Sequence, residues 1–555
     1  MSNSLRVLTV ALAFATVPLT VHADARSQGQ QVFKAQCSLC HDDSARMGQF
    51  QGPPLFGVVG RKVGSAKGFD YTPALQQAGA KGTVWDAKRL DAFLTDPQKV
   101  YPGTAMPIQV GNAADRKALV TYLASLGGGA AAKPAAPATP KPAAAKPATK
   151  PTPVVSPGDW TKDAPGVRHK VTVADLPAPF ATPSASNSPD VVEADKAAPK
   201  APDGFTVTVF ASGLNRPRQL RVSPTGDLYV GEAGTGQVTV FRNSNGVLNG
   251  KGEAFATGLT DPFGIAFAPG YVYLSSPTSV TRYPAGGGAG EALIPDLATG
   301  GGHSSRDLIV SPDGKSLYVA VGSGSNVADG LGKPPAGWVA GHATGESWGA
   351  EAGRAMVLRF DLDGKNRHVV ATGIRNCVGL GFDHGNLYCS VNERDGLGED
   401  LVPDYFSHIN DGGFYGWPWY YLGNHADPRQ KDMRPDLSGK ATVPDLLFAS
   451  HSAPLGFTFY AAPSGSNHAF PATFNGDAFV ALHGSWNRAK RTGSKVVRVF
   501  MKDGKPTGEY EDFLTGFVVS DKSVSGRPVG VAVGPDGALY VSDDAGGKIW
   551  RVAPN

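Results

Sequence analysis

Ser223-Pro224-Thr225-Gly226-Asp227-Leu228-Tyr229-Val230 sets a glycine-bearing polar turn directly before a short apolar strand. The same word returns as Pro269-Gly270-Tyr271-Val272-Tyr273-Leu274 and as Ser311-Pro312-Asp313-Gly314-Lys315-Ser316-Leu317-Tyr318-Val319. It returns again as Asp383-His384-Gly385-Asn386-Leu387-Tyr388, Asn475-Gly476-Asp477-Ala478-Phe479-Val480 and Gly534-Pro535-Asp536-Gly537-Ala538-Leu539-Tyr540-Val541. Turns of this chemistry between strands of period two are hairpins. Six copies over about 350 residues predict six four-stranded blades closed into a β-propeller. Their uneven spacing predicts long loops after blades three, four and five.

Outward from the repeat, 555 residues are too many for one ordinary core, so further domains are expected. A formal net charge of +4, with no long Lys/Arg block, excludes a nucleic-acid partner. Arg6, the apolar run Val7 to Val21 and the small-residue site Val21-His22-Ala23 read as a secretory signal over residues 1–25. The expectation is a periplasmic protein with no transmembrane segment after signal removal. Residues 26–126 show helical spacing at both ends, Ser27 to Ala35 and Ala114 to Leu126. Between them lies Cys37-Ser38-Leu39-Cys40-His41, the attachment signature of haem c. Cys37 and Cys40 form the thioethers and His41 is the proximal iron ligand. Met106, after the Pro102-Gly103 turn, is the candidate sixth ligand, because Met47 lies too near the attachment site. Residues 127–157, rich in Ala, Pro and Lys, cannot bury a core; at about 3.1 Å per residue they make a tether reaching roughly 90 Å. The predicted fold is therefore multidomain: a small all-α domain (26–126), a Pro/Ala-rich linker (127–157) and an all-β six-bladed propeller domain (158–555). For Cys377 and Cys389 two states stay open, a disulfide or two buried thiols, since simple hairpin register does not set them opposite each other.

In each blade the strand before the repeated word would line the central channel. The residues at its mouth are Arg218 with Gln219, Asp261, His303 with Arg306, Arg375 with Asn376, His451 and Arg527. Cations, an amide and two histidines converging on one rim point to a pocket for a polyanion, with Arg218 and Arg306 among its candidate contacts.

Two resemblances sharpen this. The amino-terminal segment resembles class I cytochrome c in Gly52-Pro53-Pro54-Leu55, Phe56-Gly57-Val58-Val59-Gly60-Arg61-Lys62 and Pro102-Gly103-Thr104-Ala105-Met106. The resemblance implies that Pro53 accepts the His41 Nδ1 hydrogen and that Arg61 and Trp85 sit near the haem propionates. Phe93 stands where that family usually has a tyrosine. Residues 160–555 resemble the sorbosone/glucose dehydrogenases, propeller enzymes that use pyrroloquinoline quinone (PQQ). The shared words include Gly302-His303-Ser304-Ser305-Arg306, Gly373-Ile374-Arg375-Asn376 and Asn392-Glu393-Arg394-Asp395-Gly396-Leu397-Gly398-Glu399-Asp400. Gly413-Phe414-Tyr415-Gly416-Trp417-Pro418 and His483-Gly484-Ser485-Trp486-Asn487-Arg488 continue the match.

That resemblance implies His303 as general base and Arg375, Asn376, Arg527 and Arg488 as holders of the PQQ carboxylates and quinone oxygens. It also implies a cofactor-bound calcium at the carbonyls of about Asp395 and Gly396. A second, structural calcium would sit at Glu399, Asp400 and Tyr415. Departures from the glucose-oxidising members are Gly302 before the histidine, Ser323 where an aspartate is expected, and no glutamine in Asp261-Pro262-Phe263-Gly264. The expected protein is a quinohaemoprotein dehydrogenase with haem c, PQQ and Ca2+. Its substrate would be a sugar, sugar aldehyde or related alcohol, and its acceptor a periplasmic cytochrome or oxidase. A calcium-dependent lactone hydrolase and a non-enzymatic propeller binding module are the competing readings.

Overall fold

The computed structural model of the chain describes residues 20–37, 41, 43, 52–66, 69, 71–104, 106, 108–126, 154–155, 158–193, 199–298 and 301–555. Most of the signal segment, Cys40, Met47 and nearly all of the expected tether lie outside these residues. The chain divides into two compact units, Met1–Ala145 and Lys146–Asn555.

The first unit is helical: α1 (Thr20–Gln36), α2 (Pro73–Ala80), α3 (Ala87–Thr95), α4 (Pro97–Val100) and α5 (Ala113–Ser125). The two end helices are those the spacing predicts, though α1 begins earlier, at Thr20. The three between them carry stop and start signals rather than long apolar stripes. Pro73 opens α2, and the Asp86 carboxylate accepts the Arg89 N–H at 2.7 Å to cap α3. Gly29 sits inside α1, where glycine costs about 1 kcal/mol against alanine. The crossing with α5 explains it, because a Cβ there would strike the Ala118 main chain and Tyr122. Phe33, Leu90, Phe93, Leu94, Leu119 and Leu123 form the buried core around that crossing.

The second unit is a six-bladed propeller. Blade one comprises Pro217–Val222, Leu228–Glu232, Gln237–Phe241 and Glu253–Ala256, and blade two runs from Ile265–Ala268 to Glu291–Ile294. Blade three runs from Leu308–Val310 to His368–Thr372, blade four from Cys377–Asp383 to Leu446–Ser450 and blade five from Pro454–Phe459 to Lys505–Leu514. Blade six takes its outer strand, Phe205–Ser212, from before blade one, paired with Lys548–Pro554, so the ring closes by hydrogen bonds between distant segments. Each repeated word is the hairpin between the first and second strands of its blade. Its glycine (226, 270, 314, 385, 476 or 537) has φ between +70° and +88°, the left-handed turn position that favours glycine.

The long loops of blades three and four are inside them, not after them, whereas blade five is followed by the connection 515–527. Blade three ends at Thr372 and blade four starts at Cys377, whereas 322–355 separates two strands of blade three and 410–445 two strands of blade four. The repeated word marks only the inner hairpin, so its spacing cannot tell an internal loop from a connecting one. Residues 158–193 form no blade but a strap. Trp160 Nε1 donates to Asp521 at 2.7 Å, Asn187 N to the Trp486 carbonyl at 2.6 Å, and His169 pairs with Asp512 at 3.0 Å.

Cys377 and Cys389 form a disulfide, with Cα atoms 5.8 Å apart. Cys377 faces Val391 and Leu380 faces Cys389, with a register shift between Cys377 and Gly379. The extra residue, Val378, brings the two cysteines into a diagonal cross-strand relation.

Candidate active site

In the helical unit a cavity of about 300 Å³ is lined by Cys37, His41, Arg61, Trp85 and Met106 among mainly apolar side chains. The His41 Nδ1–H donates to the Pro53 carbonyl at 2.7 Å, which leaves Nε2 for a metal. A side chain at Gly52 would collide with this imidazole. Arg61 lines the crevice but turns its guanidinium onto the carbonyls of Phe56 and Pro54. Trp85 packs on Phe93 and Tyr101, with ring centroids 5.0 and 5.8 Å away. An apolar slot bearing a thiol, an oriented imidazole and a thioether fits a covalent haem.

In the propeller, six of the expected mouth residues, Arg218, His303, Arg375, Asn376, His451 and Arg527, meet in a cavity of about 380 Å³. Val378 and Leu455 line it and pack with Phe263 and Val529 in one apolar cluster. The His303 Nδ1–H donates to Ser323, at 2.9 Å to the carbonyl and 3.0 Å to the hydroxyl. Nε2 is thereby left as an acceptor. Burial, helped by the Arg375 charge, pushes the His303 pKa down to about 3, so the ring is neutral. Arg375 is buried with all five N–H groups engaged. Nε donates to the Asn326 carbonyl (3.1 Å), Nη1 to the Asn392 and Glu393 carbonyls (3.3 and 2.7 Å), and Nη2 to Asn326 Oδ1 and Asp395 Oδ2 (3.1 and 3.2 Å). It is a fixed charge in the wall. Arg527 donates through Nε and Nη2 to the carbonyls of His483 and Gly484, so its Nη1 hydrogens remain for a ligand. Arg218 pairs with Asp544 at 2.5 Å and lies over the Phe263 ring.

Other expected residues fall elsewhere. Arg306 does not line the cavity; it is buried and donates to the carbonyls of His303, Ser305 and Ala298, all at 2.9 Å, bracing the loop that carries the histidine. Arg488 does not line it either, being paired with Asp400 at 2.9 Å and with the Glu399 carbonyl. Gln219 lies in the channel, donating to the buried Asp307 at 3.0 Å. Asp261 accepts from the Ser304 hydroxyl at 2.8 Å.

Most of the residues expected to hold calcium are engaged by the protein's own groups. The Asp395 carbonyl already accepts from Arg429 Nη1 at 2.6 Å and Asn326 Nδ2 at 3.0 Å, so a guanidinium occupies the side a cation would take. A Cβ on Gly396 would lie 3.0 Å from the same guanidinium. What Asp395 presents to the cavity is its carboxylate, held by Asn487 at 2.7 Å and Arg375. Glu399 accepts from the Ala489 N–H beside Asp400, which pairs with Arg488, while Tyr415 is buried elsewhere, donating to the His408 carbonyl at 2.7 Å.

The cavity also contains groups the sequence reading does not single out as site residues. His483 donates to Asp544 at 2.9 Å; burial lowers its pKa to about 4. Burial pushes Asp544 up, but His483 and Arg218 outweigh it and hold that carboxyl well below its usual range. Asp404, wholly buried between the N–H groups of Glu393 and Ala453, is raised by burial to about 7. The amide oxygens of Asn376 and Asn487 are buried with no hydrogen-bond partner, and Trp486 is a half-exposed indole at the mouth. Trp486 and Asn487 stand inside the quoted word His483 to Arg488, from which only Arg488 is singled out. Free guanidinium hydrogens, orphaned amide acceptors and a neutral imidazole acceptor fit a flat, anionic, hydrogen-bonding quinone.

The TrAA12-like family model matches residues 199–404 and 426–555. An uncharacterized protein of Borreliella burgdorferi is 29% identical over 64% of this chain and 90% of its own length. Cytochrome c of Arabidopsis thaliana is 38% identical over 19% of this chain and 91% of its own, and a cytochrome c2 of Rhodopseudomonas palustris 36% over 18% and 96%. Among solved structures, an iodide structure of the Trichoderma reesei family AA12 carbohydrate-active enzyme superposes with TM-score 0.52 at 20% identity, covering 66% of this chain and all of that one. The holo PQQ domain of pyranose dehydrogenase from Coprinopsis cinerea gives TM-score 0.50 at 22% identity over 66% and 99%. At these identities the two structures show the shared fold. The chain belongs to the TrAA12-like family through its propeller, and its amino-terminal unit belongs to the cytochrome c family.

Proposed function

We propose that the chain is a quinohaemoprotein dehydrogenase that oxidises a sugar, sugar aldehyde or related alcohol in the propeller cavity and passes the electrons to its own haem c. The observation that carries this reading is His303: a neutral imidazole with a bare Nε2 in a wall of arginines, on the same chain as a haem crevice. The printed names of the structural neighbours, a carbohydrate-active enzyme and the PQQ domain of a pyranose dehydrogenase, support it.

When bound, the quinone supplies an acceptor for two electrons and the haem a carrier for one at a time. The chain's residues do the rest. Arg527 Nη1 and the positive wall of Arg375 and Arg218 receive the cofactor's carboxylates. Asn376 and Asn487 offer their amide oxygens to its donors. Ser323 keeps the His303 proton on Nδ1, so Nε2 takes the substrate hydroxyl proton as the C–H bond breaks. Trp486 offers a flat apolar face at the mouth for the face of a sugar ring. In the other unit, Pro53 orients His41 and Met106 provides the thioether.

The reading includes export to a periplasm, with a cytochrome or oxidase as final acceptor. Among the described residues no helix is long and apolar enough to cross a membrane. The test is to load the full chain with PQQ and present a panel of sugars and aldehydes while recording the haem spectrum. Reduction that requires both PQQ and a substrate is expected. A haem that stays oxidised with every substrate contradicts the proposal.

A further inference from the structure

Asn326 lies in the 322–355 excursion of blade three, in Gly322-Ser323-Gly324-Ser325-Asn326, behind the cavity rather than in its lining. Its contacts concentrate on two residues of the wall. Oδ1 accepts from Arg375 Nη2 at 3.1 Å and from the Asp395 N–H at 2.9 Å, while Nδ2 donates to the Asp395 carbonyl at 3.0 Å. The Asn326 carbonyl accepts from Arg375 Nε at 3.1 Å and from Trp417 Nε1 at 2.9 Å. The turn is itself anchored. The buried Glu351 carboxylate accepts from the Gly324 N–H at 2.7 Å and the Ser325 hydroxyl at 2.6 Å. Three residues earlier the same turn carries Ser323, which orients His303 and donates its own N–H to the Arg375 carbonyl at 2.7 Å.

We propose that Asn326 is a positioning residue that fixes the Arg375 guanidinium and the Asp395 carboxylate as one preset pair in the cavity wall. A guanidinium on four rotatable bonds, beside a carboxylate of opposite charge, has several ways to pair. Only an amide offers an acceptor to the guanidinium and, at the same time, a donor and an acceptor to the Asp395 main chain. Asn326 therefore holds the Arg375 guanidinium directly and, through the Asp395 main chain, the segment that presents the carboxylate, before any ligand arrives, so the ligand does not bear the cost of ordering them. The glycine and serines of the turn carry no such side chain, so that task falls on Asn326.

This inference rests on the reading that the cavity binds PQQ, and its test reads binding rather than turnover. The full chain and its Asn326→Ala and Asn326→Asp variants are titrated with PQQ, following quenching of tryptophan fluorescence, and melting is recorded for each. Asn326→Ala is expected to raise the PQQ Kd about tenfold or more, the effect of losing hydrogen bonds to a charged group. Asn326→Asp keeps the acceptor and is expected to retain part of the affinity, and it serves as the readable variant should the alanine chain fold poorly. In an Arg375→Ala background, Asn326→Ala should add less than about a twofold further loss, because the two residues act as one unit. Variants that bind PQQ like the wild type, or an undiminished effect without Arg375, overturn the inference while leaving the functional reading intact. A wild-type chain that fails to bind PQQ contradicts the functional reading, and this inference with it.

Discussion

The Ser323 main chain, rather than a carboxylate, holds His303: its carbonyl oxygen accepts the ring Nδ1–H at 2.9 Å. The hydroxyl, 3.0 Å away, donates onward to the Ser325 carbonyl at 2.7 Å. Because the stronger tie is to the backbone, Ser323→Ala should lower kcat by less than about tenfold. His303→Ala should lower it by about 10²–10⁴ with PQQ affinity largely kept. Steady-state kinetics beside a PQQ titration checks both, and a serine variant as damaged as the histidine one would show that the hydroxyl is essential.

Stability should fall with acid. His303 and His483 have folded pKa values of about 3 and about 4, below the ordinary imidazole value of about 6.5. Below about pH 6.5 the unfolded chain protonates both histidines and the folded one does not, while Asp404, raised to about 7, is protonated only in the folded chain and offsets one of them; the net is stability lost as pH falls from about 6.5 toward 4. Urea midpoints of the PQQ-free chain should decline between pH 7 and pH 5. His303→Gln should flatten that decline, and a variant whose midpoint falls with acid as steeply as the parent's would show that His303 does not contribute to it.

The fold was legible where turn chemistry is strict. Six hairpins each need a left-handed glycine, and each wrote the same word into the sequence. The C-x-x-C-H segment was legible because covalent attachment fixes residue type and spacing, and the His41–Pro53 contact through the resemblance to class I cytochrome c. The cavity was legible at and just before the inner strands, at Arg218, His303, Arg375, Asn376, His451 and Arg527. Asn326, Trp486 and Asn487 lie in loops within blades, which have no period to betray which residue faces inward. The Asp395 segment shows the same limit: sequence placed the residue at the site, but whether its carbonyl or its carboxylate faces the cavity depends on Arg429, 34 positions away.

Removing the disulfide should be felt beyond blade four. Cys377 directly follows Asn376 and precedes the bulge residue Val378, and all three sit at or beside the cavity wall. The Cys377→Ser/Cys389→Ser double variant should lose about 2–3 kcal/mol of stability and bind PQQ more weakly than the parent. Denaturant unfolding and PQQ titration measure the two effects, and full affinity in the double variant would show that the bond does not shape the wall.

Met106→Ala should abolish the weak far-red absorption band that methionine ligation gives a ferric haem c. It should leave PQQ binding to the propeller unchanged. Survival of that band in the variant would place the sixth ligand elsewhere.

The central claim is that electrons leaving a substrate in the propeller cavity reach the haem of the same chain. Stopped-flow mixing of the PQQ-loaded protein with an oxidised substrate-free haem against a reactive sugar or aldehyde measures this directly, with the haem spectrum followed at several protein concentrations. The account predicts a first-order haem reduction rate independent of protein concentration, because donor and acceptor belong to one covalent chain. A rate that rises in proportion to protein concentration, or no reduction at all, would contradict it.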